Sequence, residues 1–140
     1  MVFSYLDHPA DVYVHVSNGS MDGVFEDAAL ATFEVMIDVS QVGVSSAVTA
    51  EIDADDIEQL LYKWVDRLLY FFDAESFAVG RTQVMVSRDL PRPSLTARIF
   101  GEPYDPKKHG QKVAVKAMTY SMMQISREGG VWEVYFVLDI

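Results

Sequence analysis

Asp7-His8-Pro9-Ala10-Asp11 near one end of the chain and Asp139-Ile140 at the other contain the residue types that hold a hard cation. Ca2+ and Mg2+ take carboxylate, carbonyl and water oxygens. Asp7, Asp11, Asp139 and the main-chain oxygens near Ile140 offer several of these without a dedicated loop. His8 suits a softer metal, but one imidazole among carboxylates is a poor zinc set. Chain ends ordinarily fray because few contacts hold them, yet Val131-Trp132-Glu133-Val134-Tyr135-Phe136-Val137-Leu138 reads as a rigid strand that delivers Asp139. The plainer alternative is that Asp11 only opens a strand and Asp139 is simply exposed, and spacing alone leaves both readings open.

No other constellation has the form of an active site. The chain has 3 His, no Cys and no G-x-S-x-G, which gives acyl transfer little to work with. Gly101-Glu102-Pro103 and Gly129-Gly130 do not form a phosphate-cradling loop, and G-x-x-x-x-G-K-[ST] is absent. Carboxylates for general acid–base work abound, but spacing singles out none. His15 alternates with valines and reads as a surface or packing residue. Met118, Met122 and Met123 read as gap-fillers. Tyr62, Asp66, Tyr70 and Asp73 share the polar side of a helix, where a solvated face and a partner-binding face look alike.

The elements that must position these residues follow from periodicity. Val12, Val14 and Val16 alternate with Tyr13, His15 and Ser17, as in a half-buried strand. Asn18-Gly19 is a turn signal, and Ser20 caps a helix expected to run to about Asp38. Its buried face would be Val24, Phe25, Ala28, Ala29, Val35 and Met36. Val48, Ala50 and Ile52 mark a second strand. Ile57, Leu60, Leu61, Trp64, Val65, Leu68, Leu69 and Phe72 trace one apolar helix face, with Asp55 and Glu58 as its expected capping box. Further strands are expected around Val84 and Val86, Leu95 to Ile99, Val113 to Ala117 and Tyr120 to Ile125. Pro91-Arg92-Pro93 and Gly129-Gly130 are read as turns. In the last strand Trp132, Val134, Phe136 and Leu138 share a face. Strands interspersed with two main amphipathic helices predict an α+β fold with mixed or antiparallel strands, in one domain over residues 1–140.

Composition narrows the function classes. A 140-residue chain that is 50% hydrophobic can bury a substantial core. No apolar run approaches the roughly 20 residues that span a bilayer, and the opening residues lack a basic n-region. Without Cys there is no disulfide framework or thiolate site. A soluble, cytoplasmic protein is the expectation. The 11 Lys+Arg against 21 Asp+Glu give a net charge of −10, so autonomous nucleic-acid binding is not expected. An acidic surface suits solubility, cation binding or docking on a basic partner.

The same residues resemble a known family. Tyr5-Leu6-Asp7-His8-Pro9-Ala10-Asp11 is similar to the "YLDHTAD" opening of archease. Matches continue through Ala28-Ala29-Leu30-Ala31-Thr32-Phe33, Leu60-Leu61-Tyr62 to Asp66, and Glu75-Ser76-Phe77. The most specific ones follow: Lys108-His109-Gly110, Val115-Lys116-Ala117-Met118-Thr119-Tyr120, Met123-Gln124-Ile125, and Trp132-Glu133-Val134 to Asp139-Ile140. The resemblance implies an α+β accessory protein, not itself a catalyst, for the RtcB-type tRNA-splicing ligase. That ligase joins a 3′-phosphate or 2′,3′-cyclic phosphate end to a 5′-hydroxyl after guanylylation of its own His. It also implies a divalent cation, Ca2+ first with Mg2+ or Mn2+ as alternatives, held by Asp11, Asp139 and Ile140 through carboxylate and main-chain oxygens. Lys116, with Asp7 and His8, is implied as a contact to the ligase or its nucleotide. Two other readings stand beside it: a stand-alone metal-dependent phosphoesterase using Asp7, His8, Asp11 and Asp139, and a chaperone-like module for RNA-processing enzymes. Pro9 stands where the family has Thr, Gly23 where many members have an acidic residue, and Asp89 to Pro93 forms a different turn.

Overall fold

The computed structural model describes residues 2–6, 11–89 and 91–140. Two antiparallel sheets share a core with two long helices. Strands β1 (Val2–Leu6) and β2 (Asp11–Asn18) lead into helix α1 (Met21–Met36) and a 3-10 turn at Val39–Gln41. Strand β3 (Ser46–Asp53), helix α2 (Ile57–Glu75), and strands β4 (Phe77–Ser87) and β5 (Ser94–Pro103) follow. A single helical turn, α3 (Pro106–His109), precedes β6 (Ala117–Met118), β7 (Gln124–Glu128) and β8 (Val131–Asp139). One sheet has the order β1-β2-β8-β6, with β7 also on β8, and the other β3-β5-β4. Every pairing among the described strands is antiparallel, as the α+β reading expects.

The expected apolar faces close the core. Val14 and Val16 of β2, Val134, Phe136 and Leu138 of β8, and Leu60, Leu61, Trp64, Val65 and Leu68 of α2 are fully buried. Full burial of a large apolar side chain contributes about 1.5–3 kcal/mol, so these rows fix which side of each sheet meets the helices. The indole Nε1 of Trp64 donates to Phe25 O at 2.8 Å, tying α2 to α1 without an unpaired buried donor. At the outer edge of β4, Val86 N and Val84 N donate to the Asp22 and Glu26 carboxylates of α1 at 2.8 and 2.9 Å. Those bonds satisfy amides that an edge strand would otherwise leave open.

Several local expectations change. The α2 cap sits one residue later than expected: Asp56 accepts from Gln59 N, and the Gln59 side chain accepts from Asp55 N, each at 2.7 Å. Ser20 caps α1 as expected, accepting from Gly23 N at 3.0 Å. Gly23 has its own reason. A Cβ there would lie 2.3 Å from Asn18 Oδ1, and that side chain is held by Ser20 N and the Asp27 carboxylate. Val113 to Ala117 is not a continuous strand, since only Ala117–Met118 pairs. Tyr120 to Met123 forms a turn with Met122 at φ 56°, and pairing resumes at Gln124. The expected turn at Gly129-Gly130 is present, with φ of 61° and 80°, values that glycine adopts without strain. No helix among the described residues is long and apolar enough to cross a membrane.

Candidate functional site

Antiparallel pairing of β2 with β8 places Asp11 directly opposite Asp139. Directly paired residues project from the same face of a sheet, so the two carboxylates are neighbours at one sheet end. On the other side of β8, Ala117 is also opposite Asp139, and Lys116 N donates to Asp139 O at 2.7 Å. Ile140 packs partly against the core. The residues read from the two ends of the sequence, Asp11, Asp139 and Ile140, thus meet, with Lys116 joined to them through its backbone. Asp7 and His8 lie outside the described residues.

Two like charges opposed across a strand pair are destabilising unless a cation or ammonium lies between them. The donors that Asp11, Asp139 and the main chain at Ile140 could offer a cation are all oxygens, a chemistry that suits Ca2+ or Mg2+ and not zinc. Among the described residues no three His, Asp or Glu side chains gather as a metal set, at this sheet end or elsewhere, so any cation here would lean on main-chain oxygens as well as the two carboxylates. A shallow depression of about 630 Å3 on the outer face of β3-β5-β4 is lined by Thr49, Glu51, Arg67, Gln83, Met85 and Arg98, and contains none of these residues.

Lys116 reaches Asp139 along an irregular segment that is anchored at several points. Lys112 N donates to Met36 O at 2.8 Å and Val113 N to Val35 O at 3.2 Å, laying the segment against the end of α1. Lys112 Nζ donates to the Glu34 carboxylate at 2.8 Å. At the start of the segment lies a cluster that sequence reasoning missed. His109 is fully buried. Its Nδ1 accepts from Asp105 N at 3.0 Å, which puts the proton on Nε2, and Nε2 donates to Glu102 Oε2 at 2.7 Å. The same carboxylate accepts from Lys108 Nζ at 2.8 Å and Gly43 N at 2.7 Å. Lys108, the Gly43 amide and His109 together pull the Glu102 carboxyl down from its ordinary 4.5 to about 2. Only the Lys108-His109-Gly110 match hinted at this, and it did not point to Glu102.

The open side of the β2–β8 pair carries a second group of polar residues. His15 stacks on Tyr135 with ring centroids 4.5 Å apart, and its Nε2 donates to Glu133. Ser17 Oγ donates to the other Glu133 oxygen at 3.3 Å. Read from sequence as a surface or packing residue, His15 is a half-buried member of this network.

The chain is similar throughout to one family. The sequence model of the archease protein family matches residues 3–140. "Protein archease" of Sulfolobus acidocaldarius is 38% identical over 138 residues, covering 99% of this chain and 98% of that protein. "Protein archease-like" of Drosophila melanogaster is 36% identical over 142 residues, covering 100% and 91%. The solution structure of Methanobacterium thermoautotrophicum protein 1598 superposes with a TM-score of 0.84 at 33% identity, covering 99% and 98%. A Thermotoga maritima archease, described as a possible chaperone, superposes with a TM-score of 0.63 at 18% identity over 96% and 94%, a likeness of fold alone.

Proposed function

Because the chain belongs to the archease family, we propose that it is an accessory protein that activates an RtcB-type RNA ligase in tRNA splicing. It promotes guanylylation of the ligase and keeps it turning over, and it is not itself the catalyst of joining. The observation that carries this reading is the register that sets Asp11 opposite Asp139, with Lys116 N bonded to Asp139 O. Asp11, Asp139 and Ile140 would hold a divalent cation, Ca2+ first. When bound, that cation neutralises the opposed carboxylates and orders the sheet end presented to the ligase. Lys116 supplies a compact positive charge able to approach a phosphate oxygen of the ligase's nucleotide. Asp7 and His8 belong to the same contact in this reading.

The test is guanylylation of the cognate ligase under single- and multiple-turnover conditions, with the protein, without it, and with Asp11→Ala. Stimulation by the intact protein that is lost in Asp11→Ala, with cooperative unfolding retained, is the expected result. Deletion of Asp139-Ile140 is expected to act in the same way. No stimulation by the intact protein would overturn the reading. Phosphoester turnover by the protein alone would favour a hydrolase built on the same carboxylates, and equal stimulation of unrelated RNA-processing enzymes a chaperone-like module.

A further inference from the structure

The row of side chains that begins at Asp11 and Asp139 continues across the whole open face of the larger sheet. The register sets Tyr13 opposite Val137, His15 opposite Tyr135 and Ser17 opposite Glu133. Alternation sends Val14, Val16, Val134 and Phe136 into the core, so this row faces away from α1 and α2. Its charge is one-sided. The paired strand positions on this face include Asp11, Glu133 and Asp139, with Glu128 of β7 opposite Val131, and include no Lys or Arg. Arg127, the one basic residue in β7, pairs with Trp132 on the other face.

The face is also built to lose little freedom on contact. Tyr13 lies 6.0 Å from the Tyr135 ring, and Tyr135 is stacked on His15. His15 is fixed by Glu133, and Glu133 by Ser17. Val137, flanked by the two tyrosines in the row, is shut from solvent. Side chains already held in place cost less to immobilise, and tyrosines at the centre of an interface commonly carry much of its affinity.

We propose that this face, with Tyr13 and Tyr135 as anchors and Glu133 as a charged contact, docks a cationic protein surface. Resting on the ligase-activating reading above, that surface is the rim of the ligase's RNA-binding groove. RNA itself is disfavoured because the face would oppose phosphates with carboxylates.

Affinity for the cognate ligase, measured directly and apart from stimulation, tests the proposal. Glu133→Lys and Tyr135→Ala are compared with Glu51→Lys, which makes the same charge change on the exposed outer side of β3. Weakening by about tenfold or more in the first two, with little change in Glu51→Lys, is the expected result. Equal weakening by Glu133→Lys and Glu51→Lys would leave only a general charge effect and overturn the docking face. Hydroxyl-radical footprinting of the unaltered protein removes any dependence on how the variants fold. Tyr13 and Tyr135 should be shielded by the ligase while the exposed Tyr70 of α2 is not. Shielding of the two tyrosines by single-stranded RNA without ligase would overturn the protein-partner assignment. Binding without stimulation would overturn the activator reading and leave the face to be judged on the footprint. No binding at all would overturn both.

Discussion

At the scale of residues, the carboxylates differ sharply in how readily the sequence reveals them. Asp11 and Asp139 are legible because each adjoins a strand of clear period two, and pairing of those two strands brings them opposite one another. Glu102 and His109 are not. Seven positions and two prolines separate them, and each alone reads as an ordinary polar residue. The structure makes Glu102 a hub, accepting from Lys108, Gly43 and His109, and a pH signature follows. Its carboxyl titrates at about 2 in the folded chain against an ordinary 4.5. A lowered folded value contributes stability that is fully present above the unfolded value and lost as pH falls through the folded one. The difference in urea midpoint between the parent and Glu102→Gln should therefore be greatest above pH 4.5 and close as pH falls toward 2. A constant difference across that window would mean that the carboxylate's charge does not matter.

At the scale of elements, strong periodicity was read correctly and its boundaries less well. The apolar face of α2 and the alternating rows of β2 and β8 occupy the expected positions, because burial of those rows dominates their energetics. Elements held by specific bonds were harder to see. β1, whose Tyr5 hydroxyl donates to Ala31 O at 2.9 Å, and the four-residue α3 lack a periodic pattern. Lys112 to Lys116 alternates like a strand, but Lys112 and Val113 give their amides to α1 carbonyls and only Lys116 bonds to β8. The α2 cap shows the same limit at one-residue resolution, since Asp55 and Asp56 are both chemically suited to it. Only the Asp56 carboxylate reaches a first-turn amide. Asp56→Ala should cost about 1 kcal/mol in chemical denaturation. Asp55→Ala loses only an exposed contact to Arg92 and should stay within about 0.5 kcal/mol of the parent. Reversal of that order would return the cap to the position first expected.

At the scale of the whole molecule, the fold brings two remote stretches of sequence to one end of one sheet, where two carboxylates are paired across β2 and β8. A chain of net charge −10 opposes its own compaction through self-repulsion, and Asp11 lies opposite Asp139 where the ends are joined. If a divalent cation is held there, binding must be linked to global stability, because an unfolded chain does not hold the two carboxylates together. Free calcium at about 100 times its dissociation constant would add about 2.7 kcal/mol, a rise in Tm of roughly 10 °C for a chain of this size. Thermal unfolding at fixed ionic strength separates this from general screening, which monovalent salt would reproduce. Asp11→Asn is the matching control. The calcium-induced rise in Tm should shrink in the variant, because it has lost a carboxylate ligand. A calcium response of equal size in both proteins would remove Asp11 from the ligand set and move the cation elsewhere on the acidic surface.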